Sequence, residues 1–177
     1  MNIAVLAGGL STERDVSLST GSMVCNALCG YGHMTALVDA YLGVENYAGS
    51  PEKYFSLSSR EVTKVPEIAP DLSAIKNRSV TDSKSFFGPG VLQICAAADK
   101  VFIALHGENG EDGRVQAALD LMGIAYTGTG YFGSALAMDK DMSKKLLQGV
   151  GVPTAKWVFV NKGEDAAADT MSSPCVI

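Results

Sequence analysis

The sequence is poor in basic residues and in long apolar runs. Its 177 residues include 14 Lys and Arg against 19 Asp and Glu, for a net charge of -5, which offers no basic surface for nucleic acid. No apolar run approaches the roughly 18 residues of a membrane span, and the start of the chain has no basic segment typical of a signal peptide. We therefore expect a cytoplasmic protein that binds neither nucleic acid nor membranes.

Residues that bind transition metals are also scarce. The chain has two histidines, His33 and His106, which excludes a His-rich metal site. The four cysteines form no CxxC pair and show no zinc-site spacing, so buried free thiols are the better interpretation: Cys25, Cys29, Cys95 and Cys175.

What the chain does contain begins with a βαβ pattern. Residues 3–7 form a short apolar segment that predicts a strand, and apolar residues between 16 and 28 recur on one face of a helix. Ser11, Thr12 or Asp15 could cap this helix. Residues 34–39 predict a second strand, so both strands should end at the same edge of a parallel sheet.

The loop after the first strand carries two glycines and two acids. It matches neither GxxxxGK[ST] nor GxGxxG, and Glu13 and Asp15 would repel a phosphate. The acids either form a solvated first helical turn, which the helix dipole favours, or bind an ammonium group. These residues alone leave both alternatives open.

A third strand, at residues 101–105, runs into a loop with a histidine, three acids and three glycines, followed by a helical pattern at 115–122. Ligands bind at the carboxyl ends of strands in open parallel sheets, which makes this loop a candidate site. His106 by itself would more often be an ordinary loop histidine.

The rest of the chain shows weaker patterns. Residues 40–84 indicate a variable excursion with at most one hairpin, with weak strand signals at 62–68 and 72–80. Further strands are predicted at 124–127, 157–160 and from 174, with helices at 140–149, capped by Asp139, and at 164–171. GTGYFG at 128–133 matches GxGxxG, but no full helix, second strand and acid follow it, so a dehydrogenase is disfavoured.

Three segments together resemble the D-alanine–D-alanine ligases of the ATP-grasp superfamily. They are GGLSTERDVSL at 8–18, LHGENGEDG at 105–113, and YTGTG at 126–130 with SALAMDK at 134–140. The resemblance implies an ATP-dependent ligase that joins two D-alanines through an acyl phosphate for peptidoglycan synthesis, with Mg²⁺ ions on the phosphates. It also implies pairing of two copies through this domain.

The resemblance also implies roles for particular residues. Glu13 would hold the ammonium group of the first D-alanine, and His106 would orient the reacting groups beside the substrate carboxylates. Glu111 would brace the loop of His106, and Lys140 would reach the nucleotide. Val16, Ser17 and Gly107 would complete the substrate pocket. No metal ligand is expected in this chain.

We therefore predict an α/β chain in two parts. Residues 1–137 would form a doubly wound, mostly parallel, Rossmann-like domain that binds substrate, and residues 138–177 the incomplete start of an ATP-grasp domain. The family's ATP-binding Lys, serine-rich phosphate loop, Mg²⁺ ligands and oxyanion Arg would follow Ile177, so we expect this chain alone to be an inactive amino-terminal fragment. The alternative is a non-catalytic module for ligand binding or dimerisation. Asp15 also replaces the Glu that is usual in the family.

Overall fold

A parallel sheet of three strands organises the first part of the chain. In the computed structural model, which describes residues 1–79 and 85–161, the strands are β1 (Asn2–Ala7), β2 (Met34–Asp39) and β3 (Lys100–Ile103), in the order β2-β1-β3. In the register, Leu6 of β1 lies opposite Val38 and Ile103. All three strands point the same way, so the loops after them leave from one edge.

Helices cover both faces of this sheet, because the buried residues of β1 alternate between two cores. Ala4 and Leu6 pack with residues of α3 (Val91–Ala97) and α4 (Arg114–Leu121), whereas Val5 packs with residues of α1 (Arg14–Gly30). The prediction of a doubly wound α/β fold is confirmed.

Helix α1 begins at Arg14, with Glu13 in the capping position. The prediction that Ser11, Thr12 or Asp15 caps this helix is wrong, because no side chain makes a capping hydrogen bond there. Ser11 Oγ instead accepts the Glu13 N–H at 3.3 Å and donates to the His106 carbonyl at 3.0 Å. The Ser11 hydroxyl thus binds the loop that contains His106 and does not cap α1.

The described part of the excursion after β2, up to residue 79, contains helices rather than a hairpin. A 3₁₀ helix covers Pro51–Tyr54, and α2 covers Leu72–Arg78. The weak strand signal at 72–80 is wrong for residues 72–78, because Asp71 caps α2 by accepting the N–H groups of Ser73 and Ala74. Residue 80 lies outside the described residues. The signal at 62–68 also gives no strand.

The predicted strand at 124–127 is reduced to a single bridge. Tyr126 pairs with Val101 in parallel, and Val101 donates to Ala125 and accepts from Thr127. Two hydrogen bonds on one residue extend the sheet edge but do not form a ladder. Helix α5 (Tyr131–Met138) follows, although the sequence predicted no full helix after the GxGxxG match.

The chain forms two compact units, Met1–Ala135 and Leu136–Ile177. In the second, α6 covers Lys140–Gly149, and Asp139 caps it by accepting the Met142 N–H at 2.9 Å, as predicted. The strand prediction at 157–160 is wrong, since these residues pair with no strand among those described. The predictions for 164–171 and for the segment from 174 lie outside the described residues.

Trp157 is instead held by side chains of α6. Its indole N–H donates to Asp141 at 2.8 Å, and Lys144 Nζ lies 5.3 Å from the ring centre. Together with Lys145, which also binds this carboxylate at 2.6 Å, the indole lowers the pKa of Asp141. These contacts fix the segment beyond α6 without a sheet.

The cysteines are free thiols in the part of the chain that the structure covers. Cys25 and Cys95 are buried as predicted, and burial raises the pKa of Cys95 to about 12. Cys29 is only half-buried, contrary to the prediction, with its sulfur 3.3 Å from Thr35 Oγ1. Cys175 lies outside the described residues. No helix described here is long and apolar enough to cross a membrane.

Candidate functional site

Two loops meet at the carboxyl edge of the sheet. The loop of residues 8–13 follows β1, the central strand, and the loop of residues 104–113 follows its neighbour β3. Adjacent parallel strands necessarily bring such loops together. The residues that the sequence singled out around Glu13 and His106 therefore belong to one surface.

Two serines bind the loops to each other. Ser17 is fully buried in α1, and its hydroxyl accepts the Gly8 N–H at 2.9 Å and donates to the Ala104 carbonyl at 2.7 Å. Ser11 makes the corresponding link to the His106 carbonyl. Because buried backbone groups need partners, these hydroxyls fix the distance between the loops.

The carboxylate of Glu13 lies directly against Gly107. A Cβ added to Gly107 would be 2.6 Å from Glu13 Oε2, so the carboxylate would have to move away. Gly107 also has a φ of +69°, a conformation that favours glycine. Glycine at this position therefore permits both the turn and the approach of the carboxylate to the backbone.

His106 lies between a hydroxyl and a carboxylate. Its Nε2 is 3.3 Å from Thr20 Oγ1, and its Nδ1 is 3.9 Å from Glu111 Oε1. The other Glu111 oxygen, Oε2, accepts the Gly107 N–H at 3.1 Å. The side chain of His106 remains 32% exposed, so it is positioned by the protein and accessible to a ligand.

Helix α4 supports the same loop from beneath. Gln116, which is buried, donates from Nε2 to the Gly110 carbonyl at 2.7 Å. Gly110 and Glu111 in turn donate backbone N–H groups to the Gly107 carbonyl. The loop is therefore closed by its own turn and anchored to the helix that follows.

A buried ion pair lies beside Glu13. Arg14 donates from Nη2 to Asp39 and from Nη1 to the Gly9 carbonyl at 2.6 Å. Asp39 also accepts the N–H groups of Tyr41 and Leu42, both at 3.0 Å. The guanidinium charge is thus neutralised at the end of β2, while the Glu13 side chain has no hydrogen-bond or ion-pair partner among the described residues.

The structure brings together Glu13, His106, Gly107 and Glu111. Val16 lies one turn beyond Glu13 on α1 and is 41% exposed. Ser17 is also adjacent, but its hydroxyl is occupied on both sides, which favours a positioning role over ligand contact.

Lys140 belongs to the second unit, where its Nζ donates to the Ala137 carbonyl at 3.0 Å. Within residues 1–79 and 85–161, no group of three or more His, Cys, Asp or Glu side chains could hold a metal ion.

Sequence reasoning missed three participants: Thr20, Asp39 and the hydroxyl of Ser11. Thr20 could have been found, because it follows Glu13 by two helical turns and so lies on the same face. Asp39 gives no local signal, since its contact with Arg14 joins residues 25 positions apart.

Comparison with known proteins points to one family. The family model described as "D-ala D-ala ligase N-terminus" matches residues 2–129. A D-alanine–D-alanine ligase of Pediococcus pentosaceus is 42% identical over 163 residues, covering 91% of this chain and 46% of that protein. One of Lacticaseibacillus casei is 41% identical, covering 88% of this chain and 44% of that protein. The chain spans about half the length of these relatives.

Solved structures agree with the sequence comparison. The D-alanine–D-alanine ligase of Bacillus anthracis, complexed with ATP, superposes with a TM-score of 0.59 at 26% identity, over 96% of this chain and 43% of that one. The structure of the ligase from Coxiella burnetii gives the same TM-score of 0.59 at 24% identity and supports the fold alone. With the family model covering most of its length, the chain belongs to the D-alanine–D-alanine ligase family and corresponds to the amino-terminal part of its members.

Proposed function

We propose that this chain binds the first D-alanine in ATP-dependent synthesis of D-alanyl-D-alanine, a precursor of peptidoglycan, in the cytoplasm. The observation that carries the proposal is the exposed, unpaired carboxylate of Glu13 beside Gly107 and His106. A carboxylate without a cation next to it suits an ammonium group.

The neighbouring charges strengthen this assignment. Arg14 is adjacent to Glu13 in sequence, but its charge is taken up by Asp39. An amino acid bound through its ammonium group to Glu13 would direct its carboxylate toward the imidazole of His106. Val16, on the same helix, offers an apolar surface to the methyl group of alanine.

ATP and Mg²⁺ belong to the proposed reaction of the longer enzyme. Lys140 supplies an ammonium group that suits a phosphate, but the described residues gather no carboxylate cluster for Mg²⁺. These residues do not by themselves fit the nucleotide and its metal ions, so we infer that this chain alone binds substrate without catalysing ligation.

Membership of the family suggests a role for each part of the chain. We infer that residues 1–137 form the substrate-binding domain and residues 138–177 the start of an ATP-grasp domain. We also infer that two copies pair through the first domain. Its exposed apolar side chains, such as Tyr31 at 84% and Leu121 at 91% exposure, are compatible with such a contact.

Calorimetric titration with D-alanine tests the proposal. We expect binding to the native chain and a loss of about tenfold or more in affinity for Glu13→Gln, because a charge-assisted hydrogen bond contributes about 1.5–3 kcal/mol. Glu108→Gln is the matched control, since Glu108 lies in the loop after β3 but binds Arg114. Equal affinity of the native chain and Glu13→Gln would contradict the assignment.

An activity assay with D-alanine, ATP and Mg²⁺ tests whether this chain alone catalyses ligation. We expect no D-alanyl-D-alanine to form when both substrates are supplied to this chain. Dipeptide formation would contradict the inferred lack of catalysis while leaving the binding assignment intact.

A further inference from the structure

Thr20 contributes a polar group to the wall of the site. It lies on α1 with its hydroxyl 3.3 Å from His106 Nε2. The helical period places Glu13, Val16 and Thr20 in line, at i, i+3 and i+7. The helix therefore presents a carboxylate, an apolar surface and a hydroxyl to the same loop.

The hydroxyl of Thr20 could donate or accept, and Glu111 decides between these arrangements. A neutral imidazole carries a proton on one nitrogen and a lone pair on the other. Glu111 Oε1 lies 3.9 Å from Nδ1, so a lone pair on that nitrogen would face a negative charge. The carboxylate therefore favours a proton on Nδ1.

We propose that Thr20 donates its hydroxyl proton to Nε2 and, together with Glu111, holds neutral His106 as the Nδ1–H tautomer in a fixed orientation. Thr20 acts through His106, so it is a positioning residue. The inference rests on the proposed function in that His106 is taken to face the bound amino acid.

The arrangement determines which group His106 offers to a ligand. Nε2 is occupied by Thr20, whereas the distance of 3.9 Å between Nδ1 and Glu111 is too long for a hydrogen bond. The Nδ1–H group is therefore the donor that remains for an acceptor oxygen of the substrate. Without Thr20, Glu111 alone would favour this tautomer, so the ring could rotate more freely and the Nε2–H form would become more populated.

Imidazole ¹⁵N NMR of the ligand-free chain at mildly alkaline pH tests the tautomer directly. The chain has two histidines, and His33 serves as an internal reference. We expect the Nδ1–H pattern for His106 in the native chain and in Thr20→Ser, and a larger Nε2–H fraction in Thr20→Val. Valine keeps the shape of threonine and replaces its hydroxyl by a methyl group. The same pattern in Thr20→Val as in the native chain would overturn the inference.

Titration with D-alanine tests the consequence for binding. We expect Thr20→Val to weaken D-alanine binding about three- to tenfold, the worth of one hydrogen bond, and Thr20→Ser to restore it. An altered tautomer with unchanged affinity would overturn the positioning role. If the native chain binds no D-alanine, the proposed function fails, and the ¹⁵N pattern alone decides how Thr20 acts on His106.

Discussion

Replacing Asp39 by Asn should destabilise the chain strongly. Arg14 and Asp39 have side chains only 7% and 15% exposed, so the substitution leaves a guanidinium charge buried without its counter-ion. The amide oxygen of Asn still accepts the N–H groups of Tyr41 and Leu42, so the turn after β2 keeps its hydrogen bonds. The effect should therefore come from the ion pair.

The expected loss in the free energy of unfolding follows from the burial of the ion pair. Removing one partner of a buried pair costs about 3–5 kcal/mol, a large share of the roughly 5–15 kcal/mol that stabilises a typical domain. With a urea slope of about 2 kcal/mol per molar, the unfolding midpoint should fall by roughly 1.5–2.5 M. Urea unfolding followed by circular dichroism measures this shift.

An exposed pair provides the matched control. Arg114 and Glu108 are 2.9 Å apart, but their side chains are 63% and 68% exposed, so Glu108→Gln should cost no more than about 1 kcal/mol. The double variant Arg14→Met, Asp39→Asn should recover much of the loss, because no unpaired charge remains buried and the Asn oxygen still accepts the N–H groups of Tyr41 and Leu42. A midpoint for Asp39→Asn that matches the control would refute the reasoning.

Two further predictions concern a glycine and a cysteine. Gly107→Ala should lower the free energy of unfolding by about 1–2 kcal/mol and weaken D-alanine binding, because the added Cβ would displace the Glu13 carboxylate. Gly123→Ala is the control, since Gly123 has a similar φ of +67° but open space around it, and calorimetry should show unchanged affinity for D-alanine. Cys95 should lower stability in alkali, because its thiol ionises near 9.0 when unfolded but at about 12 when folded. Between these pH values, urea unfolding of the native chain should lose up to about 1.4 kcal/mol per pH unit relative to Cys95→Val, and parallel curves would show that burial does not suppress ionisation.

The sheet and the two loops could be predicted because their signals are local. The apolar segments of β1, β2 and β3 are short, those of β1 and β3 end in glycine-rich turns, and parallel topology then brings these two turns together. The strand prediction at 157–160 was wrong because it depended on a contact that is not local. Its apolar residues indicate a strand only if a partner strand is available, and Trp157 is held by α6 instead.

The details of the site depended on contacts that no local pattern contains. Glu13, Arg14 and Asp15 look alike as a charged first turn, yet Arg14 is buried by a partner from β2 whereas Glu13 stays exposed. The motif assigns Ser17 to the substrate pocket, whereas its full burial is visible only in three dimensions. Spacing can identify neighbours on a helix, but it does not identify which of them faces a ligand.

The serine bridges make the site a property of the assembled sheet. Ser11 and Ser17 reach residues 95 and 87 positions away along the chain, so neither loop has its final shape until β3 has joined β1. A partly folded chain would then present Glu13 and His106 separately, with no common surface for an amino acid. Substrate recognition and global folding should therefore be one cooperative event, with no half-formed site that could bind a ligand on its own.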